Sequence, residues 1–195
     1  MRLEPAELGR SISLRVWRQC RPTRDLLHVE DPASYPGRFH AVGDSATWYS
    51  SVTEQDAWAQ FFRHHPGGGV DPFEVRRRIG EARVEELVVL DLTDARVRRL
   101  VGVTLKQLRS NRYAACQALG RLARAAGFEG ILAPSAALKG ERTLAVFDQA
   151  LKKVKELRSN VETPPAGLRA LRRRIKRAPW AARLSYAPRR DRSRT

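Results

Sequence analysis

The chain is poor in several features that mark common functional classes. It has two cysteines, Cys20 and Cys116, far apart and without metal-like spacing or a nearby histidine. That pattern argues against a disulfide scaffold or a cysteine-based metal site, and two buried free thiols in a reducing compartment are expected. No apolar run approaches the roughly 18 residues of a membrane span. The opening MRLEPAELGRSIS lacks the continuous apolar core of a signal peptide. A cytoplasmic location with no membrane partner is therefore expected. There is no glycine-rich phosphate loop and no internal repeat. His64 and His65 are adjacent, so on a helix they point in different directions, and no metal site is expected.

Acids are scarce toward the end of the chain. Residues 161–195 hold eleven Lys or Arg against two Asp or Glu, more than half of the net charge of +16. The stretch 156–195 is expected to be a basic, Pro/Arg-rich tail, largely disordered beyond a short helix in LRALRRRIKRA. Such a tail suits nonspecific contact with a polyanion, nucleic acid included, through counterion release.

The rest of the chain alternates strand and helix signals. LRVWRQC (14–20) and SATWYSS (45–51) read as strands. SVTEQDAWAQFFRHH (51–65) reads as a helix, with Thr53 as N-cap, Glu54 and Asp56 in the first turn, and Ala57, Trp58, Phe61 and Phe62 on a broad apolar face. VEELVVLDLTD (84–94) contains a continuous apolar run, the mark of a strand buried on both faces. NRYAACQALGRLARAAG (111–127) reads as a helix capped by Gly127. GILAPSAAL (130–138) is a strand that breaks at Pro134-Ser135, and RTLAVFD (142–148) is another strand. QALKKVKEL (149–157) is expected to be a final helical extension. The sum is one α+β domain with a mixed sheet over about residues 10–155.

Five of these pieces, in this order, carry a resemblance: GRF (37–39), WYSS (48–51), EQDAWAQFFRH (54–64), VVLDLTD (88–94) and GILAPSAAL with RTLAVFD. Together they resemble the RES domain over about residues 14–149. The resemblance implies a fold like that of ADP-ribosyltransferases. It implies a bacterial toxin that consumes NAD+ by hydrolysis or phosphorolysis of the nicotinamide–ribose bond, or that transfers ADP-ribose to a protein. NAD+ would be substrate rather than cofactor, phosphate a possible co-substrate, and an Xre-type antitoxin the expected partner.

Carried over position by position, the resemblance places the family arginine at Arg38 and the strand tyrosine at Tyr49. The turn serine falls on Ser135, and a first-strand arginine on Arg18, with Arg15 as the alternative. The family glutamate falls on Gln60, a departure at the position most tied to catalysis. These residue types suit the chemistry. Cleavage passes through a sugar cation that a carboxylate stabilises. A guanidinium pairs with the pyrophosphate, and a tyrosine ring can stack on nicotinamide. Gln60 can hydrogen-bond a ribose hydroxyl but carries no charge, and loss of a preorganised electrostatic group commonly costs about 2.7–4 kcal/mol. Asp56, one helical turn back, is a possible surrogate acid. A catalytically weakened RES domain that binds NAD+, or nothing, and acts as a binding protein, with nucleic-acid contact through the basic tail, is the alternative that Gln60 raises.

Overall fold

In the computed structural model, which describes residues 3–31, 35–65 and 69–175, a short helix α1 (Pro5–Leu8) leads into strand β1 (Gly9–Cys20). β1 outruns its alternating segment because it pairs along its length with β3 (Arg77–Asp91), from Gly9 against Leu90 to Cys20 against Arg78. Strand β2 (Thr47–Ser51) and helix α2 (Glu54–His64) lie between them in the chain. After β3 come helices α3 (Ala95–Leu100), α4 (Leu105–Arg109) and α5 (Ala114–Ala125). Strands β4 (Gly130–Pro134), β5 (Arg142–Phe147) and β6 (Val154–Glu162) follow.

The strand order is β1-β2-β5-β4-β3-β6, with β1 also returning to β3. The first five strands thus close into a barrel-like sheet, and β6 is added to β3. β3 and β4 are parallel, and α3 to α5 supply the crossover that a parallel pair requires. One seam is almost open: β1 and β2 meet only at Trp17 and Ser51.

Alternation on the strands explains the core. Leu90, Ile131, Ala145 and Phe147 project to one face and pack with Leu108, Cys116, Leu119 and Phe128 from the crossover. Their neighbours Val89, Leu132, Leu144 and Val146 project to the other face and pack with Val16, Leu26 and Trp48. Both faces being covered is why the β3 sequence reads as a continuous apolar run. Cys20 and Cys116 are buried free thiols. α2 is capped by the Thr53 hydroxyl, which accepts from the Asp56 amide at 3.2 Å, and its apolar face packs Trp58, Phe61 and Phe62 onto Ile79.

Two features differ from the sequence reading. The expected helical extension is a 3-10 helix only over Asp148–Lys153, and residues 154–162 form a strand, so the boundary drawn at 155 falls inside β6. Its faces are nearly all exposed, and apolar alternation is therefore absent. β6 forms because its backbone pairs with β3, reinforced by ion pairs from Arg158 to Glu81 and Lys155 to Glu85. Farther on, helix α6 (Arg169–Arg174) docks rather than trailing free, with Leu171 and Ile175 buried against the α2 cluster. The stretch expected to be largely disordered thus starts with a paired strand and a docked helix, while residues 176–195 lie outside the described residues.

The loop between β1 and β2 carries a tight turn at Gly37–His40, closed by a bridge between those two residues. The turn is wedged between β2 and α5. At Gly120 a Cβ would lie 2.1 Å from the Phe39 carbonyl oxygen, so only glycine permits this approach. Ala is ordinarily the better helix residue by about 1 kcal/mol. Here we expect Gly120→Ala to lower stability by about 2 kcal/mol through overpacking, read as a drop in Tm.

Candidate functional site

A cavity of about 350 Å³ opens at the β1–β2 seam. Its lining includes Arg18, Arg38, Tyr49 and Gln60, four of the residues singled out in the sequence. Arg15 is not among them: it projects outward and pairs with Glu81 at 3.3 Å.

Arg18 stacks over the Trp48 ring at 5.3 Å. Burial pulls its pKa down to about 10. Its Nη1 is sealed from solvent and has no hydrogen-bond partner among the described residues. Leaving a buried cationic donor unpaired is costly, and an anion in the cavity would relieve that cost. Arg38 sits on the tight turn. Its Nη1 donates to the carbonyls of Leu108 at 2.6 Å and Ser110 at 3.0 Å, and its guanidinium lies 4.7 Å from the Tyr113 ring centre. Arg38 therefore ties the turn to the α4–α5 connection as well as lining the cavity.

Tyr49 is a clamp. Its oxygen accepts from the Phe39 amide at 2.9 Å and lies 2.9 Å from His40 Nδ1. His40 Nε2 lies 2.9 Å from the Tyr35 carbonyl, which can only accept. His40 therefore carries its proton on Nε2, and the Tyr49 hydroxyl donates to Nδ1. With both directions used, the hydroxyl holds the turn, and burial raises its pKa far above the ordinary phenol value. The ring, not the hydroxyl, is what Tyr49 offers the cavity. Gly37 makes this possible, since a Cβ there would lie 2.5 Å from the Tyr49 hydroxyl.

Gln60, Ser135 and Asp56 form one chain of hydrogen bonds. Gln60 Nε2 donates to Ser135 Oγ at 3.0 Å, and Ser135 Oγ donates to Asp56 Oδ1 at 2.6 Å. Ser135 Oγ also accepts from the amides of Ala137 and Leu138, each at 3.1 Å, so it caps the turn after β4. Ser135 and Asp56 are 1% and 0% exposed and lie beneath Gln60, outside the cavity lining. Burial pushes the Asp56 carboxyl up to about 6, against the pull of the Ser135, Ser51 and Gln60 side chains.

Of the further lining residues three bear on the chemistry, and of these Glu30 and Tyr113 were not singled out in the sequence, whereas His64 was noted beside Gln60. Glu30 is the carboxylate among the lining residues, and it comes from a loop with no periodicity to flag it. Tyr113 precedes α5 and was read only as part of that helix. His64 lies one turn beyond Gln60 on α2. Burial and the nearby Arg63 and Arg38 charges lower its pKa to about 3, so it is neutral.

Residues 15–169 match the RES domain family model. The chain belongs to the RES domain family. A probable NAD(+) phosphorylase of Mycobacterium tuberculosis is 46% identical over 159 residues, covering 82% of this chain and 76% of that protein. In the crystal structure of the M. tuberculosis MbcT-MbcA toxin-antitoxin complex, a chain of similar fold gives a TM-score of 0.72 at 22% identity. The match covers 88% of this chain and 94% of that one.

The raised Asp56 pKa fixes the sign of a stability effect. A carboxyl whose folded pKa exceeds its unfolded value of 3.8 loses stability as pH rises from there to about 6, and the cost persists above. At pH 7.5 Asp56→Asn should therefore be more stable than the wild type, by on the order of 3 kcal/mol at most. The gap should close as pH falls toward 4, as measured by paired denaturant titrations.

Proposed function

We propose that this chain is an NAD+-consuming enzyme that cleaves the nicotinamide–ribose bond with inorganic phosphate as acceptor. The carbon–nitrogen bond breaks with its electron pair going to the pyridinium nitrogen, releasing neutral nicotinamide. A phosphate oxygen forms the new bond to the anomeric carbon, leaving ADP-ribose 1″-phosphate. The observation that carries this reading is the sealed, unpartnered Nη1 of Arg18 in the lining of a cavity that also holds Arg38. Two guanidiniums at one cavity suit a pyrophosphate, or a pyrophosphate and a phosphate together. The relative named as a probable NAD(+) phosphorylase supports the same substrate and acceptor.

In this reading Arg18 and Arg38 hold phosphates, the Tyr49 and Tyr113 rings wall the cavity, and Gln60 faces the ribose. Ser135 and Asp56 act from beneath Gln60, so Asp56 is not a direct surrogate for the missing glutamate. Glu30 is the carboxylate placed to contribute a negative field. The volume of about 350 Å³ is at the small end of ligand sites and fits the nicotinamide riboside half, with the adenosine half extending outward. The closed mixed sheet is compatible with the ADP-ribosyltransferase type of fold. An antitoxin seated over the cavity mouth is the proposed partner, supported by the toxin-antitoxin complex of the structural relative. Polyanion contact through residues 176–195 falls on residues outside those described.

The test is NAD+ loss by purified protein with and without inorganic phosphate. Consumption that rises with phosphate, with ADP-ribose 1″-phosphate as product, is expected. Free ADP-ribose alone would name water as the acceptor, and ADP-ribose on protein would make the chain a transferase. Neither binding nor loss of NAD+ would overturn the reading. Arg18→Met, which keeps the stem and removes the charge, should raise KM for NAD+ by about 10- to 100-fold without loss of Tm.

A further inference from the structure

Asp56 is a buried acid in a place that gives it no route to substrate. It is fully enclosed, its Oδ2 is sealed from solvent, and its partners are the uncharged side chains Ser135, Ser51 and Gln60. The charged groups around it do not neutralise it. Glu141, on the turn before β5, pushes its pKa further up. Arg109 is engaged with the Ser135 carbonyl at 3.3 Å, and His64 on α2 is neutral. A carboxylate kept in such surroundings at a stability cost calls for a functional account.

The hydrogen-bond bookkeeping supplies one. A serine hydroxyl has one hydrogen. Ionised Asp56 can only accept, so at 2.6 Å the Ser135 hydrogen is committed to it. Toward Gln60, Ser135 then has acceptor capacity alone, and the Gln60 atom facing it must be the amide nitrogen. The neighbouring carboxylate enforces the same choice, because it repels an amide oxygen and attracts an amide N–H. Oε1 has no protein partner among the described residues, and Gln60 lines the cavity.

We infer that Asp56 is a positioning residue: through Ser135 and by its own contact with the amide, it fixes Gln60 so that Oε1, not Nε2, is presented to the cavity. The negative end of the amide dipole then faces the place where positive charge develops on the sugar. A neutral glutamine thereby supplies in part what a carboxylate would supply in full. Protonated Asp56 no longer commits the Ser135 hydrogen to itself or attracts the amide N–H by charge, and the amide is released to turn over. The orientation itself needs no ligand; its catalytic consequence rests on the proposed NAD+ chemistry.

The test uses the full chain and begins with NMR. The Gln60 Nε2–H₂ pair is assigned by its disappearance in Gln60→Glu. In the wild type these resonances should move with the Asp56 carboxyl carbon in one titration centred near 6. In Asp56→Asn the movement should vanish, and in Ser135→Ala it should shrink. A Gln60 amide that ignores the Asp56 titration overturns the inference, and the wild-type titration alone reads this even if a variant misfolds. The second arm is turnover. In Asp56→Asn, kcat should fall about tenfold at pH 7.5 with KM for NAD+ little changed, because the interaction is made in the transition state. The fall of wild-type kcat as pH drops through about 6 should be missing from that variant. Unchanged kcat in Asp56→Asn overturns the catalytic half. A coupled amide titration in a protein that leaves NAD+ intact supports the orientation and overturns the proposed function alone.

Discussion

β1 and β2 pair at a single position, Trp17 with Ser51, and the cavity opens where the ladder between them stops. Fully paired strands lie about 4.8 Å apart, which leaves no room for a ligand between them. Here β1 is held on its other side by β3, and β2 by β5. The closed sheet can therefore afford one loosened seam without losing its shape. Arg18 from β1 and Tyr49 from β2 reach into that seam, α2 passes beside it, and the Gly37–His40 turn roofs it. The turn stays in place because the Tyr49 hydroxyl, the Gln117 amide and the close approach of Gly120 fix it from separate directions. Arg38 inherits its position from that clamp.

The site and the stability of the fold pull against each other at two places. Arg18 holds a donor sealed and unpartnered, and Asp56 holds a carboxylate in a setting that favours its neutral form. A protein selected for stability alone would replace both with neutral groups. Stability is spent where the chemistry requires charge, and the ordinary aliphatic and aromatic packing on both sheet faces offsets it.

Much of this was legible in the sequence where local physics decides. α2 announced itself by the Thr53 cap and its apolar face, and β3 by a run too apolar to face water. Arg38, Tyr49, Gln60 and Arg18 were found through the RES pattern, and all four meet at the cavity. What the sequence concealed depends on tertiary pairing. β6 has exposed, charged faces and exists because β3 offers it an edge. Glu30 sits in a loop without pattern. Ser135 and Asp56 were identified, but spacing could not reveal that both lie beneath Gln60, or that the Tyr49 hydroxyl is consumed by the turn.

Closing the sheet also settles how this molecule can meet other chains. An open sheet has two free edges, each a row of unpaired amides and carbonyls that can recruit a foreign strand. Here the return of β1 to β3 uses up one edge of β1, the β2-facing edge of β1 is paired only at Trp17 and looks into the seam, and among the described residues the other long edge is the outer side of β6. That strand carries Lys155, Glu156, Arg158 and Glu162, and charged side chains of both signs discourage strand-on-strand association. Recognition by strand addition is thereby disfavoured at β6, and a partner meets the molecule's unpaired backbone and its cavity at one place, the seam.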